Sequence, residues 1–514
     1  VTALLSALLP LRERVRPRSA AVPSLAPQSE RSRTALAVAI GVVMIIGLVY
    51  AGPMPGPSGL LLTVAGCALS AVVLGSPLVT TVLLLLASFV RMAIQVGGLP
   101  AEPMTLLFVA LVASAAIAGL RGRTRFHFGP LEAAMAAYVL WNIVSMVWPH
   151  LYPAVVPKTG EEIVLYRFLL MGTVFPFVGY VVGRAYFRSA SRIRVLLFSL
   201  LAFAAYSAVV SVLQFTGPKA LVWPRYIVDS PSWPERAVGV FNQPVCNGLV
   251  MSAGFVAAVL LARERSLPTW QRVLSALVAP MCVVGVYLTH TRAVLIVFGL
   301  ALVLCAFIAR GARTVFVAML IAACVFLAAE WATITSADRT KGGLGSASEI
   351  HDRLNMITTS FWAIGEQPVM GWGFARFQQV NTHHHKQWSS DVKWESGYGY
   401  SSHENELGIA VELGLVGLGL WLTVLALLAR QVVGAFRRLP TGGMNGRVIG
   451  VIAIVALLVW FGSGATVDLR FFDFANLMVF LIAGAAVGAS IESSTEDPRN
   501  PTASSIERRD GVAV

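Results

Sequence analysis

The sequence predicts an all-α, polytopic integral membrane protein. It should have about 14 transmembrane helices, within a range of roughly 12–14, and one long extracytoplasmic loop containing an amphipathic helix. Three observations predict this. First, 56% of the 514 residues are hydrophobic and only 13% are charged, too apolar a balance for a soluble chain of this length. Second, the apolar residues gather in repeated runs of about 20, the length a helix needs to cross a bilayer. Third, the formal net charge of +13 is carried mainly by Arg and Lys in short loops between those runs. That placement signals membrane topology rather than nucleic-acid binding.

The elements follow in chain order. Residues 1–33 read as a flexible, basic cytoplasmic arm: the run from Ala3 to Leu9 is too short for a signal peptide, and no small-residue cleavage pattern follows it. Apolar runs then occupy 34–51, 58–75, 77–96, 104–120, 130–148, 163–182, 195–215, 244–262, 273–288, 293–309, 314–331, 406–428, 448–464 and 471–488. The domain layout is thus a transmembrane bundle over 34–331, a long extracytoplasmic loop over 332–405, C-terminal transmembrane helices over 406–490 and a disordered cytoplasmic tail over 491–514. Cys67, Cys246, Cys282, Cys305 and Cys324 lie in or beside apolar runs without metal or disulfide spacing and read as packing residues.

The loops orient the chain. With a cytoplasmic N-terminus, the inside loops include RGRTRFHFG, GRAYFRSASRIR, RERSLPTWQR, ARGAR and RQVVGAFRRLPTGGMNGR, all short and basic. The early outside loops AGPMPGP and GGLPAEP lack Lys and Arg, as the positive-inside rule requires. Both termini are then cytoplasmic. The loop over 216–243, the turn over 289–292 and the long loop over 332–403 share the outer face. Within the long loop, Ser346 and Glu349 have capping-box spacing. Ile350, Leu354, Ile357, Phe361 and Ile364 then recur at helical intervals, before Gly365 and Pro368 end the run. Such a helix can lie on the outer leaflet or pack over the bundle.

The chemistry-bearing residues on this face centre on the stretch SSHENELGIAVELGLVG. His403 opens an apolar run at the boundary, where an imidazole can exchange a proton near neutral pH. Arg236, Arg292 and Arg353 share its side, and a guanidinium at that depth suits a diphosphate through paired hydrogen bonds and permanent charge. Each arginine has a plainer reading as a residue snorkelling to lipid phosphate, and the histidine as a helix cap. Arg91 either reaches the same cavity or snorkels. Glu412 lies two turns inside its run and needs a partner. Nine residues turn a helix through about 900°, which puts Glu412 opposite His403 and favours a structural pairing with another helix. Gly414, Gly417 and Gly419 suit close approach of a neighbouring helix. His383, His384 and His385 are adjacent on a loop, a poor arrangement for convergence on one ion, so no metal is expected.

These residues resemble the O-antigen ligase / O-antigen polymerase superfamily of membrane glycosyltransferases. The likeness rests on His403, Leu407, Glu412, Gly414 and Gly417 at the head of a late span. Upstream it rests on Arg236, Gly239 and Phe241 before Asn242-Gln243-Pro244, on the Thr291-Arg292 turn, and on Arg353 leading a helix that ends in Pro368, Gly371 and Gly373. It covers roughly residues 236–417. Glu404 stands where that family commonly has Asn or Ser, with Asn405 following, and Gln243 interrupts the Asn-Pro element.

The resemblance implies a C-type, many-helix fold in the cytoplasmic (inner) membrane, active on the outer face without nucleotide, cofactor or metal. It implies inverting transfer of a glycan from a polyprenyl-diphosphate donor, such as undecaprenyl diphosphate, to a glycan or lipid-anchored acceptor in the cell envelope. Lipopolysaccharide is one such acceptor. His403 would be the catalytic base. Arg236, Arg292 and Arg353 would bind the diphosphate, with Arg91, Glu412, Asn405 and Asn242 as possible support. Ligase and polymerase differ only in the acceptor, which no residue here distinguishes. The alternative is a secondary transporter of a small solute or anion, which would place its charges and broken helices near the midplane.

Overall fold

The computed structural model describes residues 75–94 and 102–495, apart from 123, 125, 234, 339–341 and 395–396. The expected basic arm, the first expected span, all but the end of the second, and most of the tail lie outside the described residues. Among the described residues the fold is all-helical, with no strand.

Each of the twelve apolar runs after residue 76 forms a helix. In order these are α1 Pro77–Phe89, α2 Pro103–Leu120, α3 Pro130–Val147, α4 Leu165–Tyr186, α5 Ala190–Thr216, α6 Pro244–Arg263, α7 Thr269–Leu288, α8 Arg292–Ile308 and α9 Arg313–Ala329. The extramembrane helices α10 Ser348–Glu366 and α11 Phe377–His383 come next, then α12 Asn405–Arg438, α13 Ile449–Gly464 and α14 Asp473–Thr495. Among the described residues, ten helices are long and apolar enough to cross a membrane, and α1 and α8 are shorter apolar helices. The final helix runs to Thr495, into the stretch expected to be a disordered tail. Prolines at the first helical positions of α1, α2, α3 and α6 explain several starts, because an unbonded N–H is tolerated there.

The bundle is built around α6 and α14. In each, 94% of the apolar window is buried, against 11% for the span ending at Ala329 on the periphery. Helix α4 packs against α14 backbone to backbone. A Cβ at Gly183 would meet the Leu481 carbonyl oxygen at 2.4 Å, and one at Gly484 would meet that of Tyr180 at 2.2 Å. Small residues permit this approach where lipid supplies no hydrophobic drive between helices. Cys246, Cys282 and Cys305 are buried in the packing; Cys324 is exposed.

Connecting segments gather at two ends. At one end the basic loops hold each other: Arg184 pairs with Glu132 at 2.8 Å, Arg263 Nε donates to the Gly311 carbonyl at 2.8 Å, and Arg194 donates to Gln271. At the other end lie the 217–243 segment, the turn between α7 and α8, and the long segment between α9 and α12. These too are tied together: the Ala237 N–H donates to the Leu288 carbonyl at 2.8 Å, and Arg292 Nη2 donates to the Ser346 carbonyl at 3.1 Å. The expected shared face for these three segments is therefore present.

Helix α10 forms where the spacing predicts, with two corrections. Its N-cap is Ala347, with no side-chain cap. Glu349 is drawn off to Arg236 and Ser346 Oγ meets Ser348 Oγ at 3.0 Å, so the Ser346/Glu349 capping box does not form. The helix also turns its polar side inward. Asp352, Asn355, Thr359 and Ser360 are buried, while Ile350 is 45% and Phe361 63% exposed. Of the apolar stripe only Ile350 and Phe361 face outward; Leu354, Ile357 and Ile364 are half-buried, and Ile364 packs against the cluster around Ala363 and Phe377.

Candidate active site

Helix α12 begins as an ordinary helix from Asn405 and then breaks. Gly414 has φ 67° and ψ −175° within an otherwise continuous run. A break frees backbone groups that cost several kcal/mol each if left unpaired in lipid. Here the segment Pro368–Gly373 takes them up. The Trp372 N–H donates to the Val411 carbonyl at 2.8 Å, the Gly373 N–H to the Glu412 carbonyl at 2.9 Å, and the Leu415 N–H to the Pro368 carbonyl at 2.7 Å. Trp141 Nε1 donates to the Leu413 carbonyl at 2.9 Å. The strap sits so close that a Cβ at Gly371 would meet the Gly414 nitrogen at 2.5 Å, and one at Gly414 would meet the Val369 oxygen at 2.1 Å. Gly414 therefore serves a loop rather than the neighbouring helix expected from sequence, Gly417 packs beside Trp141, and Gly419 faces open space.

Glu412 has the partner its depth demands. Its Oε2 accepts from Arg470 Nη1 at 2.6 Å and its Oε1 from the Phe377 N–H at 3.1 Å. Arg470 also binds Asp468 through Nε (2.9 Å) and Nη2 (2.6 Å). All three side chains are buried. The sequence reading missed Asp468 and Arg470. The signal was available: TVDLRFFDF puts three charges at the junction of two apolar runs, where a charge needs a reason.

The triad abuts the His403 turn. A Cβ at Gly408 would meet Ser402 Oγ at 2.5 Å and Arg470 Nη2 at 2.9 Å, and Ser402 Oγ donates to the Glu404 carbonyl at 2.6 Å. His403 itself has φ 53°. Among the described residues the other non-glycine residues with positive φ are Asn242, His290 and Ala375. All four lie in segments at the same end of the bundle. Such strained backbone, costing about 1–3 kcal/mol each, concentrates at functional sites. The partly buried His403 imidazole is pushed down to about 4 by burial and then by the Arg353 guanidinium, against the pull of Asp468, Asp352 and Glu349. Burial also raises the Glu404 carboxyl, with Arg353 opposing. The imidazole is therefore neutral across ordinary pH, unprotonated at one ring nitrogen, and a weaker base than a free imidazole.

The predicted arginines reach this end from separate elements. Arg236 is buried, pairs with Glu349 on the first turn of α10, and lies 4.7 Å over the Trp233 ring. Arg353 is one turn further along α10. Arg292 Nε and Nη2 donate to the carbonyls of Leu344 and Ser346 (3.1 Å for the latter), just before α10 begins. His290 Nδ1 meets the Glu235 carbonyl at 2.8 Å and so joins the Arg292 turn to the Arg236 loop. Arg236, Arg292 and Arg353 thus converge on the start of α10, and His403 feels charges from that same helix.

The supporting candidates divide. Arg91 Nε lies 3.9 Å from Asp473, whose other oxygen accepts from Ser88 at 2.8 Å. Asn405 is buried at the start of α12, its Nδ2 3.2 Å from Glu406. Asn242 brackets Ser232 with both ends of its amide and stabilises its own loop. The three adjacent histidines disperse: His383 stacks on Tyr152, His384 meets the Tyr152 hydroxyl at 2.5 Å, and His385 lies edge-on to Tyr398. Among the described residues no group of three His, Cys, Asp or Glu side chains has metal-holding geometry.

A family model described as O-antigen ligase matches residues 276–422. That window contains Arg292, Arg353, the Pro368–Gly373 strap, His403 and Glu412. A search of curated proteins finds no match. Over residues 276–422 the chain is thus similar to the O-antigen ligase family, which supports a reading as an O-antigen ligase- or polymerase-like membrane glycosyltransferase.

Proposed function

We propose that this chain transfers a glycan from a polyprenyl-diphosphate carrier to an acceptor sugar hydroxyl at the outer face of the cytoplasmic membrane. The observation that carries this reading is a neutral, partly buried imidazole beside a helix that brings together three arginines. In the reaction His403 accepts the proton of the acceptor hydroxyl. The hydroxyl oxygen attacks the anomeric carbon, the bond from that carbon to the diphosphate oxygen breaks, and the electron pair leaves on the diphosphate. Arg236, Arg292 and Arg353 balance the charge that grows there. Each guanidinium has five donors, so protein carbonyls and Glu349 can orient an arginine and leave it able to bind phosphate oxygens. Direct attack inverts the anomeric centre. No step requires a metal ion. The basic loops at the opposite end support an outward-facing site under the positive-inside rule.

A transporter would need its helix break to line a path near the midplane. Here the break at Gly414 is closed by the strap, which favours the enzyme.

The test is transfer from extracted lipid-linked glycan by the full chain in nanodiscs. His403→Ala should lower the rate by about 10²–10⁴ while the protein stays monodisperse, and chelators should leave the wild-type rate unchanged. Wild-type rates from His403→Ala would sink the base role; inhibition reversed by a divalent ion would sink the metal-free mechanism.

A further inference from the structure

Beside His403 lies a feature that the reaction above leaves unused. The segment Gly397-Tyr398-Gly399-Tyr400 buries both glycines and exposes both tyrosines, at 38% and 39%. It is held rigidly. Asn381, fully buried, donates Nδ2 to the Gly397 carbonyl at 2.7 Å and approaches that of Tyr400 at 3.5 Å. Gly399 has φ 68°, a conformation that suits glycine. The Tyr400 ring lies 5.9 Å from the His403 ring, and the Trp394 and Tyr398 rings lie 4.7 Å apart. Lys158 Nζ sits 3.6 Å over Tyr400. Two ring groups, Tyr398 with Trp394 and His385, and Tyr400 with His403, are joined through the backbone at Gly399 and make up an aromatic rail whose Tyr400 end lies at the imidazole.

The chemistry of this rail differs from that of the exposed apolar residues of α10, Ile350 and Phe361. The rail presents ring faces together with phenol hydroxyls and an ammonium. Ring faces carry partial negative charge and attract the C–H-bearing face of a sugar, and the hydroxyls and ammonium pair with sugar oxygens. The rail leaves His403 beside Asn381 and the loop bearing Lys158, whereas Arg236 and Arg292 approach from the ends of α6, α7 and α8.

We propose that Tyr398 and Tyr400, with Lys158, form the platform that binds the acceptor glycan and presents its hydroxyl to His403. This rests on the reading of His403 as the base. The platform accounts for an acceptor held by sugar-ring stacking in a site whose arginines are assigned to the donor.

The probe is lipid-free oligosaccharide released by mild acid from the producing cell's surface glycan, followed by saturation-transfer NMR on the full chain in nanodiscs. Tyr398→Ala with Tyr400→Ala should weaken binding about tenfold or more, and Tyr→Phe at both positions should retain most of it. Tyr398→Leu, which keeps bulk but removes the ring face, covers the case in which the double variant fails to fold. In steady-state transfer the acceptor KM should rise while the donor KM holds. Unchanged oligosaccharide binding in the Ala and Leu variants, or a rise confined to the donor KM, overturns the platform. These outcomes are separable from failure of the site itself, since full transfer by His403→Ala would overturn the base and leave the binding result standing.

Discussion

Two clusters of arginines and carboxylates lie within one end of the bundle, and they are built on opposite plans. The inner one, Asp468–Arg470–Glu412, is closed: all three side chains are buried and the arginine is held by both acids. The outer one links Arg236, Arg292, Arg353, Glu349 and His403 across three separate segments. Its residues are only partly buried apart from Arg236; Arg292 donates to backbone carbonyls and Arg236 pairs with Glu349. A closed cluster offers a ligand nothing; it joins α12 to the segment before α14 and supports the helix break. A partly exposed cluster of guanidinium groups beside a neutral imidazole is suited to chemistry. Charge at a membrane boundary is thus read by how completely it is satisfied, rather than by its presence alone.

The sharpest way to break this contrast is to attack the closed cluster. Arg470→Ala leaves two buried acids unpaired and should destabilise the fold by about 3–5 kcal/mol, seen as a lower unfolding temperature and loss of monodisperse protein. A variant as stable as wild type would show that the triad is not structural. In the open cluster, Arg292→Lys replaces a two-pronged donor with a point charge. It should cost up to about 10²–10³ in transfer rate with little change in unfolding temperature. Equal rates would reduce the role of Arg292 to charge alone.

The smallest effect is the most diagnostic. His403, held at about 4 against an ordinary 6.5, is unprotonated through neutral pH. The acid limb of kcat/KM should then lie near 4. Because the unfolded chain takes up this proton first, His403 costs the fold stability as pH falls from about 6.5 toward 4. Arg353→Gln removes one cause of the depression, so the acid limb should move upward toward 6.5. A limb that stays in place would separate Arg353 from the imidazole.

Particular residues show why some of this was legible beforehand. The arginines and His403 stood out because each interrupts an apolar pattern at a boundary, and the requirement that Glu412 find a partner followed from its depth. Asp468 and Arg470 went unread although their signal was of the same kind. The inward polar side of α10 was hidden because the stripe Ile350–Phe361 announces a face without saying what it faces. The break at Gly414 was hidden because a glycine in an apolar run reads equally as packing or as a bend. Only the carbonyls freed at Val411 and Glu412, and the strap that takes them, distinguish the two.

By itself, the chain's pattern of apolar runs and basic loops determined the twelve described apolar helices, their alternation and the end at which the long segments gather. Those features follow from local costs: an unpaired peptide group in lipid drives each apolar run into a helix. Tertiary structure alone decided the pairing of Glu412 with Arg470, the strapped break in α12, the inward polar side of α10 and the placement of Tyr400 beside His403. Each of these depends on satisfying a buried polar group with a partner from a distant part of the chain, and such partners come within reach only once the helices have packed.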